Sequence, residues 1–103
     1  MNSQQFNSIL ANRIACINRT LATKAQEYAI GDRLYNFKRA AGMLNTTPQK
    51  ALLGMMAKHL VSVLDLIEGS IPATPAMVDE KLGDMINYLI LLEAILKEKE
   101  GKQ

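Results

Sequence analysis

The sequence predicts an all-α fold, a four-helix bundle that is completed by oligomerisation. Apolar residues recur every three or four positions along most of the 103 residues, which is the period of an amphipathic helix. Two Thr-Pro pairs, at 47–48 and 74–75, are typical of helix starts. We interpret no segment as a strand. Residues 1–103 are therefore expected to form a single all-α domain, with a polar tail from about residue 99.

Composition limits the classes of protein that fit. Hydrophobic residues make up 49% of the chain and charged residues 21%, which is ordinary for a soluble globular protein. Aromatic residues are only 5% and Trp is absent, so the core is expected to be mostly aliphatic. The net charge of +2 is too small to predict a nucleic-acid partner. Nucleic-acid association through Arg33, Lys38, Arg39 and Lys50 is an alternative that requires a steep salt dependence.

Cys16 is the single cysteine, so no intramolecular disulfide can form, and a reducing cytoplasm is the expected location. Because it lies between Ile14 and Ile17, we expect a small buried side chain. The N-terminus lacks the basic and apolar regions of a signal peptide. No apolar stretch reaches about 18 residues, so no membrane partner is expected.

The first predicted helix runs from about Ser3 to Tyr28, and Gly31 breaks the pattern that defines it. A second helix is predicted from about Asp32, a suitable N-cap, to Leu44. The first helix has one apolar face, composed of Phe6, Ile9, Leu10, Ile14, Ile17 and Leu21.

Capping signals define the last two helices. Thr47 caps the third helix, and Pro48 takes its first position, where a missing N–H costs nothing. This helix is predicted to end near Glu68. After a turn, Thr74 and Pro75 repeat this Thr-Pro capping pattern, and the fourth helix is predicted to run to about Glu100. The third helix has one apolar face, composed of Leu53, Met56, Leu60, Val63, Leu64 and Ile67.

The fourth helix is predicted to lie near an interface. Its apolar residues follow the spacing 4-3-4-3-4, which is that of an a/d seam packing along another helix. Tyr88, Leu91 and Ile95 lie on another side. Because a helix that is apolar nearly all round is buried nearly all round, we expect a homodimer or a larger assembly such as a tetramer. The seam residues are Val78, Leu82, Met85, Leu89, Leu92 and Leu96.

Glu80, Asp84 and Asn87 form an acidic stripe on the fourth helix. Their spacing i, i+4, i+7 places them on one side at about 3.6 residues per turn. Carboxylates one turn apart can hold a divalent cation, because hard cations prefer oxygen ligands. A wetted surface is the alternative, although Leu91 continues the stripe into an apolar region. Both interpretations stay open.

Lys58, Ser62 and Asp65 have the same spacing on the third helix. If these residues face the acidic stripe, Lys58 can neutralise a carboxylate or a phosphate. The alternative is that they lie on the solvent-exposed side of the third helix. His59 is the only histidine, and no nucleophile accompanies it at an informative spacing. A structural or surface role is therefore expected for this side chain.

Residues 27–39 are dense in functional groups. Glu27 and Asp32 can supply oxygen ligands, and Arg33 and Lys38 can hold an anion. The alternative is a helix-breaking corner with a capping Asp and core aromatics. The sequence contains no Gly-rich phosphate loop, Cys/His cluster or G-x-S-x-G element, so a nucleophile-based hydrolase has no support.

Two segments resemble the MazG-type all-α nucleoside triphosphate pyrophosphohydrolases. Residues 80–89 (EKLGDMINYL) are similar to the second acidic helix of that family, approximately E-E-L-G-D before an apolar run. Residues 57–67 (AKHLVSVLDLI) have the frame of its preceding helix, roughly A-E-E-x-x-E-x-x-x-x-I. The resemblance covers about residues 50–96. Residues 27–39 followed by these helices also look like small phage or prophage proteins of this superfamily.

The resemblance implies Mg²⁺ held by acids of two adjacent helices, and hydrolysis of a nucleotide between its α and β phosphates by an activated water. Glu80 and Asp84 match the E-x-x-x-D pair of the family. Other positions that carry carboxylates in the family are here Lys81, Lys58, His59 and Ser62. Because so few acids are kept, the resemblance implies weak Mg²⁺ binding and weak or lost activity.

The expected function is binding of a nucleotide or phosphate ligand in a polar cleft between the last two helices. The predicted metal ligands are Glu80, Asp84 and Asp65, and the predicted ligand-binding residues are Lys58, Asn87, Tyr88, Arg33 and Lys38. The alternative is a phage-related helical oligomeric interaction module without catalytic activity.

Overall fold

The computed structural model describes residues 1–23 and 31–101, which belong to two compact units, Met1–Arg33 and Leu34–Gln103. Within the described residues every regular element is helical, with four α-helices and one π-helical segment. The prediction of an all-α fold is confirmed for this part of the chain. The single domain and its completion by oligomerisation stay predictions.

The first unit contains helix α1 (Ser3–Ile17) followed by a π-helical segment (Asn18–Thr23). A reciprocal capping box starts α1, because Asn2 Oδ1 accepts from Gln5 N and Gln5 Oε1 accepts from Asn2 N, both at 2.8 Å. The rest of the predicted first helix, to Tyr28, lies outside the described residues. No residue of α1 is buried.

The apolar face predicted for the first helix is exposed, since 49–58% of each of Phe6, Ile9, Leu10 and Ile14 is open to solvent. Cys16, expected to be buried, is half-buried, and Arg19 Nη2 lies 3.1 Å from its Sγ. The helix therefore does not bury the surface that its periodicity predicts to be packed.

The second unit contains α2 (Tyr35–Leu44), α3 (Pro48–Glu68) and α4 (Pro75–Gly101). The predicted caps of α3 and α4 are confirmed. Thr47 Oγ1 accepts from the backbone N–H of Lys50 at 3.3 Å, and Thr74 Oγ1 accepts from that of Met77 at 3.2 Å. Gly69 ends α3 with φ at 84°, a left-handed conformation that glycine adopts without a steric penalty.

The start of α2 corrects the prediction that Asp32 is its N-cap. Leu34 occupies that position, and its side chain makes no cap hydrogen bond. The Leu34 carbonyl accepts from the backbone N–H groups of Phe37 and Lys38, both at 3.1 Å. Because Leu34 and Phe37 are buried, their tertiary packing sets where α2 begins.

The core of the second unit joins all three of its helices. Its buried side chains are Leu34, Phe37, Leu52 and Ile95, and half-buried side chains pack around them. Leu52 is completely buried. Lys38 Nζ lies 2.6 Å from Glu98 Oε1 and links α2 to α4 at the same end of the unit. The surrounding half-buried residues are Met55, Met56, Tyr88, Leu91 and Leu92.

The α3–α4 hairpin turns inward a different side of each helix from the apolar face and seam identified in the sequence. On α3 the core uses Leu52, whereas the next residue, Leu53, is 57% exposed. On α4 the core uses Ile95, whereas Leu89 is 50% exposed and Leu96 is 46% exposed. Both helices are apolar on two sides, so periodicity alone does not identify the side that packs. Among the described helices, none is long and apolar enough to cross a membrane.

We predict that Leu52→Ala lowers the free energy of unfolding by about 2–5 kcal/mol, because it opens a cavity where three helices meet. Urea unfolding followed by circular dichroism measures the change. Leu44→Ala is the matched control, since Leu44 is 68% exposed and its truncation should cost less than about 0.5 kcal/mol. Equal losses in the two variants would contradict this core.

Candidate polar site between α3 and α4

A polar cluster lies where α3 faces α4, and its members are His59, Asp84, Asn87 and Tyr88. The imidazole and phenol ring centroids are 5.0 Å apart, with planes inclined by 34°. His59 Nδ1 lies 3.4 Å from Asp84 Oδ2. All four residues are half-buried. The cluster therefore sits inside the helix contact and is not a freely solvated patch.

The spacing on α4 explains why these side chains come together. Asp84, Tyr88, Leu91 and Ile95 recur at intervals of three and four, so they share the side of α4 that faces α3. The last two positions are apolar and reach the core, whereas the first two are polar. The inward side of α4 thus changes from polar to apolar along its length.

The electrostatic contact within the cluster is weak. The His59 side chain is 21% exposed and that of Asp84 is 40% exposed, so solvent screens their attraction. The contact is an ion pair only when the imidazole is protonated. Exposed ion pairs typically contribute about 0.2–1 kcal/mol, so this pair orients two side chains more than it stabilises the fold.

Asn87 carries the least satisfied polar atom of the cluster. Its Oδ1 is buried and accepts no hydrogen bond from any described residue. A buried acceptor without a donor costs about 1–3 kcal/mol, because it loses its hydrogen bond to water. The cluster therefore offers an acceptor to any N–H or O–H donor that reaches it.

The predicted metal ligands are not brought together. Glu80 Oε2 accepts from Lys81 Nζ at 3.0 Å, and the Glu80 side chain is 60% exposed. Asp84 faces His59, and Asp65 is half-buried on α3. The part of the chain that the structure describes contains no group of three or more His, Cys, Asp or Glu residues able to hold a metal ion. The Mg²⁺ site therefore stays a prediction, and we derive no chemistry through it.

The predicted ligand-binding residues are dispersed. Asn87 and Tyr88 belong to the polar cluster, whereas Lys58 is exposed on α3 and its backbone carbonyl accepts from Ser62 Oγ at 3.3 Å. Lys38 pairs with Glu98. Arg33 belongs to the first unit, where its Nη2 donates to the Leu21 carbonyl at 2.8 Å.

Sequence reasoning expected a structural or surface role for His59 but did not place it against Tyr88 and Asp84. His59 follows the buried Leu52 by seven residues, about two helical turns, and therefore shares its side of α3. That signal is readable only once Leu52, and not Leu53, is known to face the core.

In comparisons with known proteins, no family model, no curated protein and no solved structure matches this chain. The structure shows a small protein in which every described regular element is helical, as the resemblance to MazG-type proteins implies. The family and its activity stay proposals.

We predict that Asn87→Leu raises the free energy of unfolding by about 1–3 kcal/mol, because it removes an unsatisfied buried acceptor. Chemical denaturation of the purified protein measures it. Asn36→Leu on the exposed side of α2 is the control, since it makes the same gain in helix propensity without changing a buried group. A destabilised Asn87→Leu protein would show that the amide is satisfied in solution.

Proposed function

We propose that the protein is a helical interaction module that works as a homo-oligomer and associates through one side of the α3–α4 hairpin. The observation that carries the proposal is a set of seven Leu and Ile side chains that are each 37–74% exposed. We call this set the hairpin face, and it comprises Leu53, Leu60, Leu64, Ile67, Leu82, Leu89 and Leu96.

The residues of the hairpin face lie on one side of the hairpin. The helices run antiparallel, because Leu52 and Ile95 share the core at one end while His59 meets Tyr88 about two turns away. One step along a right-handed helix rotates the side chain by about 100° in a fixed sense. Because the chain directions are opposite, both rotations lead to the same side. On α3 each exposed residue comes directly after an inward one: Leu53 after Leu52, Leu60 after His59 and Ile67 after Leu66. On α4 the same holds for Leu82 after Lys81, Leu89 after Tyr88 and Leu96 after Ile95.

The energy available from this face is large enough for a stable dimer. The seven exposed fractions together equal about three and a half fully exposed side chains per protomer. At about 1.5–3 kcal/mol for each fully buried Leu or Ile, burying two such faces contributes about 10–20 kcal/mol. Association costs about 4–15 kcal/mol in lost freedom of motion. The difference between the burial energy and the association cost favours a second copy of the chain as the partner that covers the hairpin face.

We predict that the wild-type protein sediments at a mass well above 11.4 kDa, and that Leu60→Glu with Leu89→Glu reduces it to the monomer. The reason is that two carboxylates would be buried in an apolar contact. Analytical ultracentrifugation measures the mass, and circular dichroism checks that the helices remain.

Met43→Glu with Leu44→Glu is the matched control for self-association, because both residues are exposed on α2 and lie outside the hairpin face. This variant should keep the wild-type mass. A wild-type monomer at about 1 mM would overturn the proposal, because even a dimer with a binding free energy near −4 kcal/mol forms there.

A second candidate function is binding of a nucleotide at the polar cluster, and the unpartnered Asn87 oxygen favours it. That acceptor suits a donor such as a base amino group or a ribose hydroxyl. The His59 and Tyr88 rings, which are in contact with each other, offer apolar faces, and Tyr88 lies one chain position from Asn87 on α4. The resemblance to MazG-type proteins adds Mg²⁺ and a pyrophosphohydrolase reaction, weak or lost, to this candidate.

For the second candidate we predict that Mg²⁺ with a panel of common nucleotides raises the melting temperature, and that Glu80→Gln with Asp84→Asn abolishes the shift. Asp79→Asn with Glu93→Gln is the control, since it removes the same charge from exposed positions of α4. The Lys97 ammonium donates to Glu93 and lowers the pKa of that carboxyl, so Glu93 is ionised at neutral pH and the charge change is matched. The absence of any shift in the wild type would remove this candidate.

A further inference from the structure

We infer that two copies pair antiparallel and like on like, α3 against the partner's α3 and α4 against the partner's α4. The two-fold axis then runs perpendicular to the helices. This arrangement rests on the proposed self-association through the hairpin face. The competing arrangement, which we call the exchanged pairing, turns the second copy about an axis along the helices and sets α3 against the partner's α4.

The spacing of the apolar residues on α4 fits the antiparallel pairing. The seam from Val78 to Leu96 has the spacing 4-3-4-3-4, which reads the same in both directions and is centred on the level of Asn87. An antiparallel partner helix therefore meets it in register. The resulting pairs are Val78 with the partner's Leu96, Leu82 with the partner's Leu92, and Met85 with the partner's Leu89. Each pair joins an exposed leucine to a residue that is half-buried in its own protomer.

The exposed residues of α3 have the same symmetry. Leu53, Leu60 and Ile67 are spaced by seven, so they are centred on Leu60. An antiparallel partner sets Leu53 opposite the partner's Ile67, and Leu60 opposite the partner's Leu60. One surface pairs with itself in this way, as a two-fold axis requires.

Both centres lie at one level of the hairpin. His59 stacks against Tyr88 with ring centroids 5.0 Å apart, and these residues are the chain neighbours of Leu60 and Asn87. A single axis can therefore pass through the centres of both helices. This coincidence is a property of the hairpin register and is not visible in either helix alone.

Charges at the ends of the hairpin distinguish the two arrangements. Lys50 and Glu68 lie 18 residues apart on α3, and Asp79 and Lys97 lie 18 residues apart on α4. This separation is about five full turns, so each pair shares one exposed flank. The midpoints of the two pairs are residues 59 and 88, again the level of the ring contact.

In the antiparallel pairing Lys50 meets the partner's Glu68, and Asp79 meets the partner's Lys97. In the exchanged pairing Lys50 meets the partner's Lys97, and Glu68 meets the partner's Asp79. Flanking charges of this kind contribute little affinity but select orientation, because like charges in the wrong arrangement repel. Because Lys97 already pairs with Glu93 of its own helix, the signs of Lys50 and Glu68 carry the selection of the antiparallel, like-on-like dimer.

Reversing the charge of Lys50 distinguishes the two dimer arrangements, because the dimer Kd is expected to rise in one and not in the other. Lys50→Glu should raise the dimer Kd about tenfold at low salt, because it faces the partner's Glu68, and Lys50→Glu with Glu68→Lys should restore it. Sedimentation equilibrium measures each Kd. In the exchanged pairing the single variant faces the partner's Lys97 instead, so an unchanged or lower Kd overturns the inference.

Cross-linking gives a second, independent readout. In a Cys16→Ser background, Leu60→Cys should be captured as a covalent dimer by a bis-maleimide of about 8–10 Å, the usual distance between packed helices. Met43→Cys on α2 is the control and should not be captured. Capture only when Leu60→Cys chains are mixed with Leu89→Cys chains overturns the inference in favour of the exchanged pairing. A wild-type monomer would instead show that the proposed self-association itself fails.

Discussion

The contact on which the rest of the second unit depends is the packing of Leu52 against Ile95 and Phe37. Among the described side chains, Leu52 alone is completely buried, and three helices meet around it. Seven residues further along α3 and seven residues back along α4 are His59 and Tyr88, so the same register sets the ring contact. The apolar core thus fixes the geometry of the polar cluster, and the weak His59–Asp84 attraction does not need to do so.

The register of α3 against α4 also determines which apolar surfaces stay exposed to solvent. Once Leu52 and Ile95 face inward, the following residues, Leu53 and Leu96, turn to the same side of the hairpin and stay exposed. The monomer therefore buries one apolar side of each helix and leaves another open. Large open apolar surfaces on small proteins mark interaction sites, because isolated chains rarely leave them in water.

Local signals in the sequence predicted local structure well. Thr47 and Thr74 cap their helices as expected, because a cap depends on residues within one turn. The inward side of α3 and α4 could not be predicted, since both helices are apolar on two sides and only the Leu52 contact chooses between them. The expected Asp32 cap failed for the related reason that buried Leu34 fixes the start of α2. The contact of His59 with Tyr88 could not be predicted either, because its position follows from the same choice.

The relative size of two free energies ranks the two functions. The unpartnered Asn87 oxygen costs about 1–3 kcal/mol, which a single hydrogen bond from a ligand offsets. Burial of the hairpin face contributes about 10–20 kcal/mol per dimer, before the association cost of about 4–15 kcal/mol, and only an extended apolar partner recovers it. Because apolar burial is the larger of these two free energies, association explains the arrangement of α3 and α4 better than ligand binding does. A ligand at the polar cluster then acts on a hairpin whose geometry the core has already set.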